Sequence, residues 1–348
     1  VRVAIVGAGV AGSTLCSLLS RLDYKLAVYD ITEKYVKPCG EVFPAKTAGI
    51  ISENKIPKPE ILNEINSFQF YVDKRGGIEL VKSFYGRKVV WYSIDKSTWV
   101  DGLRGSCDKL STKPINKPGR LYSDGYNLVI DARGPFSSKG TKIVVWRGYV
   151  NQYEDSAIFV FRSGALGFVW AFPHGDMINV GGGFVGVSDP RKYTINTLER
   201  ILKNRNISIR DEKYSIITVS PKVELLRDRV VNVGEAAGLI MSLGGEGIRP
   251  AVVSAIKLFE NVEKALSIVG SGGSFEEAFW GYARSLGGLI REVKTHNTLY
   301  RLASFWGGRF IERLLRGMSD SFAEEWLGGN LVGVMRSLGL YSMHRSSK

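Results

Sequence analysis

The chain has 348 residues, 44% hydrophobic and 23% charged, with a formal net charge of +13, enough apolar content for one large core or two modest ones. Three scattered histidines argue against a histidine metal cluster, and three cysteines without a CxxC pair argue against a disulfide framework and fit a reducing cytoplasm. No apolar run reaches the roughly 20 residues of a bilayer span, and the basic residues are spread out with no nucleic-acid motif, so a soluble basic surface accounts for them as well as an anionic partner does.

The sequence opens directly on a strand, so no leader segment is expected. Residues 3–6 form a short apolar run of the kind that makes a buried parallel strand. Gly7, Gly9 and Gly12 follow as GxGxxG, residues 10–21 carry apolar side chains at helical spacing, and residues 25–29 make a second strand that ends at Asp30. Gly7 permits the tight turn, Gly9 lets the backbone approach a pyrophosphate, and Gly12 lets helix and strand pack closely. The helix N-terminus offers free N–H groups and the positive end of its dipole to the phosphates. Asp30, about 20 residues on, is placed to accept hydrogen bonds from a ribose hydroxyl pair. A dinucleotide-binding unit is therefore expected.

The stretch PCGE at 38–41 puts Cys39 on a bend, where Pro38 fixes its own φ and Gly40 tolerates a positive φ. Short alternating runs over 67–94 predict antiparallel strands of a different layer, residues 95–107 a short helix, and 127–134 a buried strand that ends in a glycine turn. Residues 141–187 are strand-rich again. Within them Gly181, Gly183 and Gly186 repeat the GxGxxG spacing, but the VSDPRK that follows has a proline and no amphipathic period. That repeat is read as a glycine-rich strand close to a ligand or to another backbone. Residues 195–205 read as helix, 229–240 as a strand entering a small-residue loop, and nearly everything from Arg249 onward as helix. Gly234 and Glu235 fall at the carboxyl end of a strand, where ligands sit in open α/β sheets. The GGEGIRP segment ends in Pro250, well suited to a first helical turn. Nucleotide-binding pieces thus come from both ends of the chain, with a sheet inserted between them.

This interleaving, with GAGVAG at 7–12, PCGE at 38–41, WAFP and NVGGG within 170–183, and the segment 234–248, resembles the geranylgeranyl reductase family. That family lies within the aromatic-hydroxylase class of FAD proteins and saturates isoprenoid double bonds. The resemblance implies an α/β fold with three parts. A Rossmann-like FAD-binding domain takes residues 1–66, 96–140 and 226–272, an inserted antiparallel β-sheet substrate domain takes 67–95 and 141–225, and a C-terminal helical region takes 273–348. It implies that FAD is held by Gly7, Gly9, Val10, Ala11, Gly12, Asp30, Ile31, Cys39, Gly40, Arg104, Ala132, Gly134, Gly234, Glu235, Gly245, Gly247 and Ile248. Backbone N–H groups of Gly247 and Ile248 would face the flavin N1 and C2 carbonyl, where negative charge gathers on reduction.

In the family the Cys-Gly pair lies beside the isoalloxazine, so Cys39 is the candidate catalytic acid for alkene reduction, or else it positions substrate. On its own residues it reads equally as a small, mostly buried hydrophobe; Cys16 and Cys107 take the core reading. Phe168, Trp170 and Phe172 alternate and so share one strand face. With Pro173 and Gly182 they form the expected substrate-binding set, ordinary core packing being the competing account. Four positions depart from the family: Arg133 stands where the class has an acid, Glu235 where Asp is usual, and Phe168 and His174 where Tyr and Lys are usual.

The expected partners are an isoprenoid or prenylated phospholipid substrate and, since a second dinucleotide fingerprint is absent, a transient NADPH or ferredoxin as electron donor; no metal or nucleic acid is expected. Trp280, Trp306, Phe310, Leu314, Leu315 and Trp326, interspersed with Arg301, Arg309 and Arg313, could cover a lipid tunnel, form a peripheral membrane face, or simply pack. The rival functions are an FAD monooxygenase, a non-redox flavin cyclase, suggested by VIDARG at 129–134, and a flavin-binding protein without turnover.

Overall fold

The computed structural model describes residues 1–331 except 75, 108, 163–164, 203–206 and 307; the side chains of 308 and 309 are also left aside. A six-stranded sheet runs in the order Leu226–Arg227, Val230–Asn232, Leu128–Asp131, Arg2–Val6, Lys25–Tyr29, Leu110–Ser111. All its pairings are parallel except the first. Val3, Ala4 and Ile5 are fully buried, as a parallel strand covered on both faces requires. Helix Val10–Leu19 packs against the long helix Ile248–Gly270, so the first and last thirds of the chain share one core. The opening helix stops at Leu19, two residues short of the predicted end.

A seven-stranded sheet carries the inserted layer, in the order Ile209–Lys222, Lys139–Val150, Met177–Phe184, Gly167–His174, Ser156–Arg162, Ser67–Lys74, Gly77–Tyr85. It is antiparallel except where Ser156–Arg162 meets Ser67–Lys74. The 14-residue strand Ile209–Lys222 has no counterpart in the expected elements. The last predicted run of the 67–94 stretch also goes elsewhere. Trp91–Ile94 forms a separate three-stranded sheet with Val42–Pro44 and Ile61–Ile65.

The glycine-rich strand owes its composition to its neighbour. Phe168 pairs with Gly183 and Trp170 with Gly181, and a Cβ on Gly181 would come within 2.2 Å of the Trp170 ring. Glycine at these positions lets large rings lie across the partner strand. No helix starts at Gly186; the next one, Pro190–Ile201, is capped by the Asp189 side chain.

The helical region straddles both layers. Phe275, Phe279, Tyr282, Leu289 and Val293 join the nucleotide-side core, whereas Ala303, Ile311, Leu315, Met318 and Leu327 pack on the seven-stranded sheet. Among the described residues no helix is long and apolar enough to cross a membrane. The expectation of unpaired thiols is corrected: Cys16, in the core of the first helix, is bonded to Cys107, with Cα atoms 5.7 Å apart and a sequence separation of 91. The pairing escapes a spacing argument because Cys107 reaches Cys16 only through the packing of helix Lys96–Arg104 on helix Val10–Leu19.

Candidate active site

One cavity of about 1110 Å³ runs from the first glycine turn, past the Cys39 bend, to the aromatic face of the large sheet. Gly7, Gly9, Val10, Ala11, Asp30, Ile31, Cys39, Gly40, Arg104, Ala132, Gly134, Glu235, Gly245, Gly247, Ile248, Phe168, Trp170 and Phe172 all line it. Gly12, Gly234, Pro173 and Gly182 do not. A Cβ on Gly12 would sit 1.9 Å from the Gly7 carbonyl oxygen, and one on Gly234 would sit 2.8 Å from the Ala11 Cβ. Both glycines therefore serve close packing behind the cavity wall. Pro173 and Gly182 point to the opposite face of the sheet by strand alternation, and a Cβ on Gly182 would meet Thr194 Oγ1 at 2.3 Å.

At the nucleotide end, Gly7 adopts φ +102° with no room for a side chain against the Ala132 carbonyl. Gly9 is different: its nearest neighbour across the would-be Cβ is a Tyr35 ring atom at 3.9 Å. It is the N-cap of helix Val10–Leu19 and has no side-chain cap of its own, so the first-turn N–H groups remain available to a ligand. Gly247 caps helix Ile248–Gly270 in the same bare manner, beside Gly245 at φ +67°. Two uncapped helix N-termini thus open on one cavity.

Asp30 is already committed in part. Its carboxylate accepts the Ala8 and Ile31 N–H groups, both at 2.6 Å, and Arg104 at 2.9 Å. Arg104, buried on the helix Lys96–Arg104, also donates to the carbonyls of Ala8, Thr32 and Glu33. The pair therefore shapes the glycine turn as well as facing the cavity. Glu235 accepts the Thr218 N–H at 2.7 Å and the Lys37 ammonium at 2.7 Å. Arg133 has an acid after all, two residues before it. Its guanidinium clamps Asp131 and donates to the carbonyls of Ile115 and Asn116, tying a cavity-lining loop to the sheet.

The Cys39 bend differs in detail from the expectation. Positive φ falls on Glu41, at +57°, rather than on Gly40. Gly40 is needed for space instead, since a Cβ there would lie 2.8 Å from the Phe172 ring. Cys39 Sγ accepts the Glu41 N–H at 3.2 Å and the Lys96 ammonium at 2.8 Å. Glu41 is buried and accepts Tyr149 O–H at 2.5 Å and Asn179 at 3.3 Å; Asn179 in turn donates to the Cys39 carbonyl at 2.9 Å and accepts Trp170 Nε1 at 2.9 Å. Burial, then Glu41, pushes the Tyr149 pKa well above its ordinary value. His174 stacks on Tyr149 in this buttress and does not line the cavity. Burial lowers its pKa, against the opposing pull of Glu41. Lys96, Glu41, Tyr149 and Asn179 were not singled out by sequence; Lys96, Tyr149 and Asn179 reach the Cys39 bend only across roughly 50 to 140 residues, and the Glu41 carboxylate finds its partners at the same range.

At the far end, Trp326 and Leu327 line the cavity with Phe159 and Phe161, and Trp91 Nε1 holds the Leu327 carbonyl at 2.8 Å. Of the apolar residues expected to form a cover, Phe310 and Leu315 pack on the sheet, whereas Trp280 and Trp306 are exposed; the side chain of Arg309 lies outside the described residues. His296, on helix Gly287–Trp306, is 4% exposed, lines the cavity and has no hydrogen-bond partner at Nδ1. Burial, aided by Arg249, pushes its pKa down from 6.5 to about 3. The unfolded chain therefore takes up this proton before the folded one does, and stability falls as pH drops from 6.5 towards 3. The slope reaches about 1.4 kcal/mol per pH unit. Denaturant midpoints measured across that window should fall less steeply for His296→Gln than for the unmodified chain, and parallel slopes would remove His296 as a cause.

No protein-family model matches the chain. It is 33% identical to the digeranylgeranylglycerophospholipid reductase of Methanocaldococcus jannaschii over 95% of this chain and 92% of that protein. It is 24% identical to the geranylgeranyl diphosphate reductase of a Synechocystis strain over 75% of each. Among solved structures, a geranylgeranyl bacteriochlorophyll reductase-like protein of Thermoplasma acidophilum superposes with a TM-score of 0.72 at 18% identity, covering 97% of this chain and 98% of that one. A flavin-dependent brominase superposes at 0.63 and 13% identity, covering 98% and 99%. Both likenesses are of fold.

Proposed function

We propose, from the premise that the chain belongs to the geranylgeranyl reductase family, that it is an FAD-dependent reductase of isoprenoid carbon–carbon double bonds, working on prenyl chains of membrane-type lipids. The observation that carries this reading is the continuity of the cavity. The bare helix N-termini at Gly9 and Gly247, the Cys39 bend and the Phe168–Trp170–Phe172 face all open on one space. These residues fit FAD: Gly9 leaves room for a pyrophosphate, and the N–H groups at Gly247 and Ile248 suit an electron-rich flavin edge. When bound, the flavin supplies the hydride.

The remaining work falls to the chain itself. The aromatic face and Trp326 give a long apolar substrate a wall that excludes water. Cys39, between that wall and the glycine segments, is the candidate donor of the proton to the alkene carbon that does not receive hydride. Glu41, Asn179 and Tyr149 hold the bend rigid from behind. NADPH or a ferredoxin is the proposed source of electrons, and the cytoplasmic side of a membrane the proposed place of work.

Purified protein reconstituted with FAD, reduced without oxygen and mixed with a geranylgeranyl lipid should reoxidise its flavin and yield a product two hydrogens heavier. Turnover that requires oxygen would favour a monooxygenase, and an unchanged hydrogen count a cyclase. Cys39→Ala should keep its flavin and lose alkene reduction by about 10²–10⁴-fold. Retained reduction would strip Cys39 of the acid role.

A further inference from the structure

We propose that Lys96 is the positioning residue for Cys39: its ammonium holds the sulfur at the cavity wall and balances the thiolate left when Cys39 gives up its proton. The inference rests on the proposed reduction for its chemistry, but the contact itself does not. Lys96 is 2% exposed at the start of helix Lys96–Arg104, whose N-cap Asp95 accepts the Thr98 N–H at 3.0 Å. Its Nζ donates to the Lys37 carbonyl at 2.7 Å and to Cys39 Sγ at 2.8 Å, and it lies 5.1 Å from the Tyr35 ring centroid.

A buried ammonium normally requires an anion beside it, since desolvation is otherwise uncompensated. Among the described residues no carboxylate forms a salt bridge with Lys96; Glu41, the nearest candidate, is hydrogen-bonded to Tyr149 and Asn179. The group within hydrogen-bond reach that can become an anion is the thiol. With the Glu41 N–H, two donors converge on one sulfur, placed to hold the electron pair left there once the proton has gone. A methionine would fill the same space without the cost of burying a charge, so packing alone does not account for lysine here. The other ionisable groups around this contact are Glu41, bonded to Tyr149, and Tyr35, whose ring lies against both Lys96 and Arg104. Burial draws the Lys96 pKa down, while the neighbouring Cys39, Tyr35 and Glu41 raise it.

In the reduction, hydride from reduced flavin forms one new C–H bond and the flavin is left oxidised. The S–H bond of Cys39 breaks, its proton forms the second C–H bond, and its electron pair stays on sulfur beside the Lys96 ammonium. Solvent then reprotonates the sulfur, and the electron donor restores the flavin.

The test uses the full chain with Lys96→Met, Lys96→Arg, Cys39→Ala and the double substitution Cys39→Ala/Lys96→Met. Iodoacetamide labelling of the Cys39 peptide at neutral pH, followed by mass spectrometry with and without FAD, should slow about tenfold or more in Lys96→Met and recover to within about threefold in Lys96→Arg. Equal labelling rates in all three proteins overturn the proposal. Reoxidation of reduced flavin by a geranylgeranyl lipid should fall about tenfold or more in Lys96→Met, with the double variant no slower than Cys39→Ala, because residues acting as a unit are not additive. Additive losses also overturn it. If Lys96→Met does not fold by circular dichroism, Lys96→Gln takes its place under the same criteria. Should the unmodified enzyme fail to reduce any prenyl lipid while labelling still depends on Lys96, the proposed function falls and the Lys96–Cys39 contact stands.

Discussion

Replacing Arg249 with methionine is expected to cost about 3–5 kcal/mol of stability, because it strands the buried carboxylate of Glu292 and the partly buried one of Glu246. Arg249 is 4% exposed and donates to Glu292 at 3.0 and 2.9 Å and to Glu246 at 2.8 and 3.0 Å. Its fork thus joins the start of helix Ile248–Gly270 to helix Gly287–Trp306. Burial already raises the Glu292 pKa, and Glu246 adds to it while Arg249 opposes. A carboxyl raised in the folded state stabilises most below its ordinary pKa, and that contribution is lost as pH rises through the raised value. Without Arg249 the rise becomes larger, so the deficit of the variant should widen from acid to neutral pH. Urea unfolding at both ends of that range checks the sign, and adding Glu292→Gln should recover part of the loss. A deficit below about 1 kcal/mol at neutral pH would show that the cluster is not held as described. Flavin retention should suffer too, since the Glu246 backbone belongs to the segment that forms the cavity wall and pairs with Met241.

Gly12→Val should disable the protein through its fold, whereas Gly9→Ala should spare the fold and weaken cofactor binding. The Gly12 Cβ would lie 1.9 Å from the Gly7 oxygen, in the turn itself, and 3.2 Å from the Ala132 Cβ, at the end of the neighbouring strand Leu128–Asp131. The helix would have to lift from the sheet, at a cost of about 1–3 kcal/mol or more. At Gly9 the added methyl meets only the Tyr35 ring, at ordinary van der Waals distance, and φ is an ordinary −76°. It would occupy room that a pyrophosphate needs. Thermal midpoints and FAD titration separate the two effects. A Gly12→Val protein as stable as the unmodified chain, or a Gly9→Ala protein with unchanged FAD affinity, would refute the corresponding half.

Much of this site was legible from residue order. The first strand, glycine turn, helix and second strand fall within two residues of their predicted bounds, and Cys39 and the Phe168–Trp170–Phe172 face meet in one cavity with the late glycines. Other features were misread or missed. Glycine at position 40 suggested a left-handed bend, yet the constraint is the ring of Phe172 and the positive φ belongs to Glu41. The β-branched run Ile216, Ile217, Thr218 and Val219 within Ile209–Lys222 carries a strand signal that was open to reading.

Residue order by itself determined the elements whose cause is local: turns that only glycine can make, faces set by a period of two or 3.6, and helix starts marked by small residues. Tertiary structure alone decided the partners. The Cys16–Cys107 bond, the Arg133 clamp on Asp131, the sheet that takes Trp91–Ile94, and the ammonium of Lys96 against Cys39 all depend on which surfaces meet. The physical reason is range. Backbone preference acts over a few residues, but the stability of a buried charge or thiol is set by whatever the folded chain brings within about 4 Å of it.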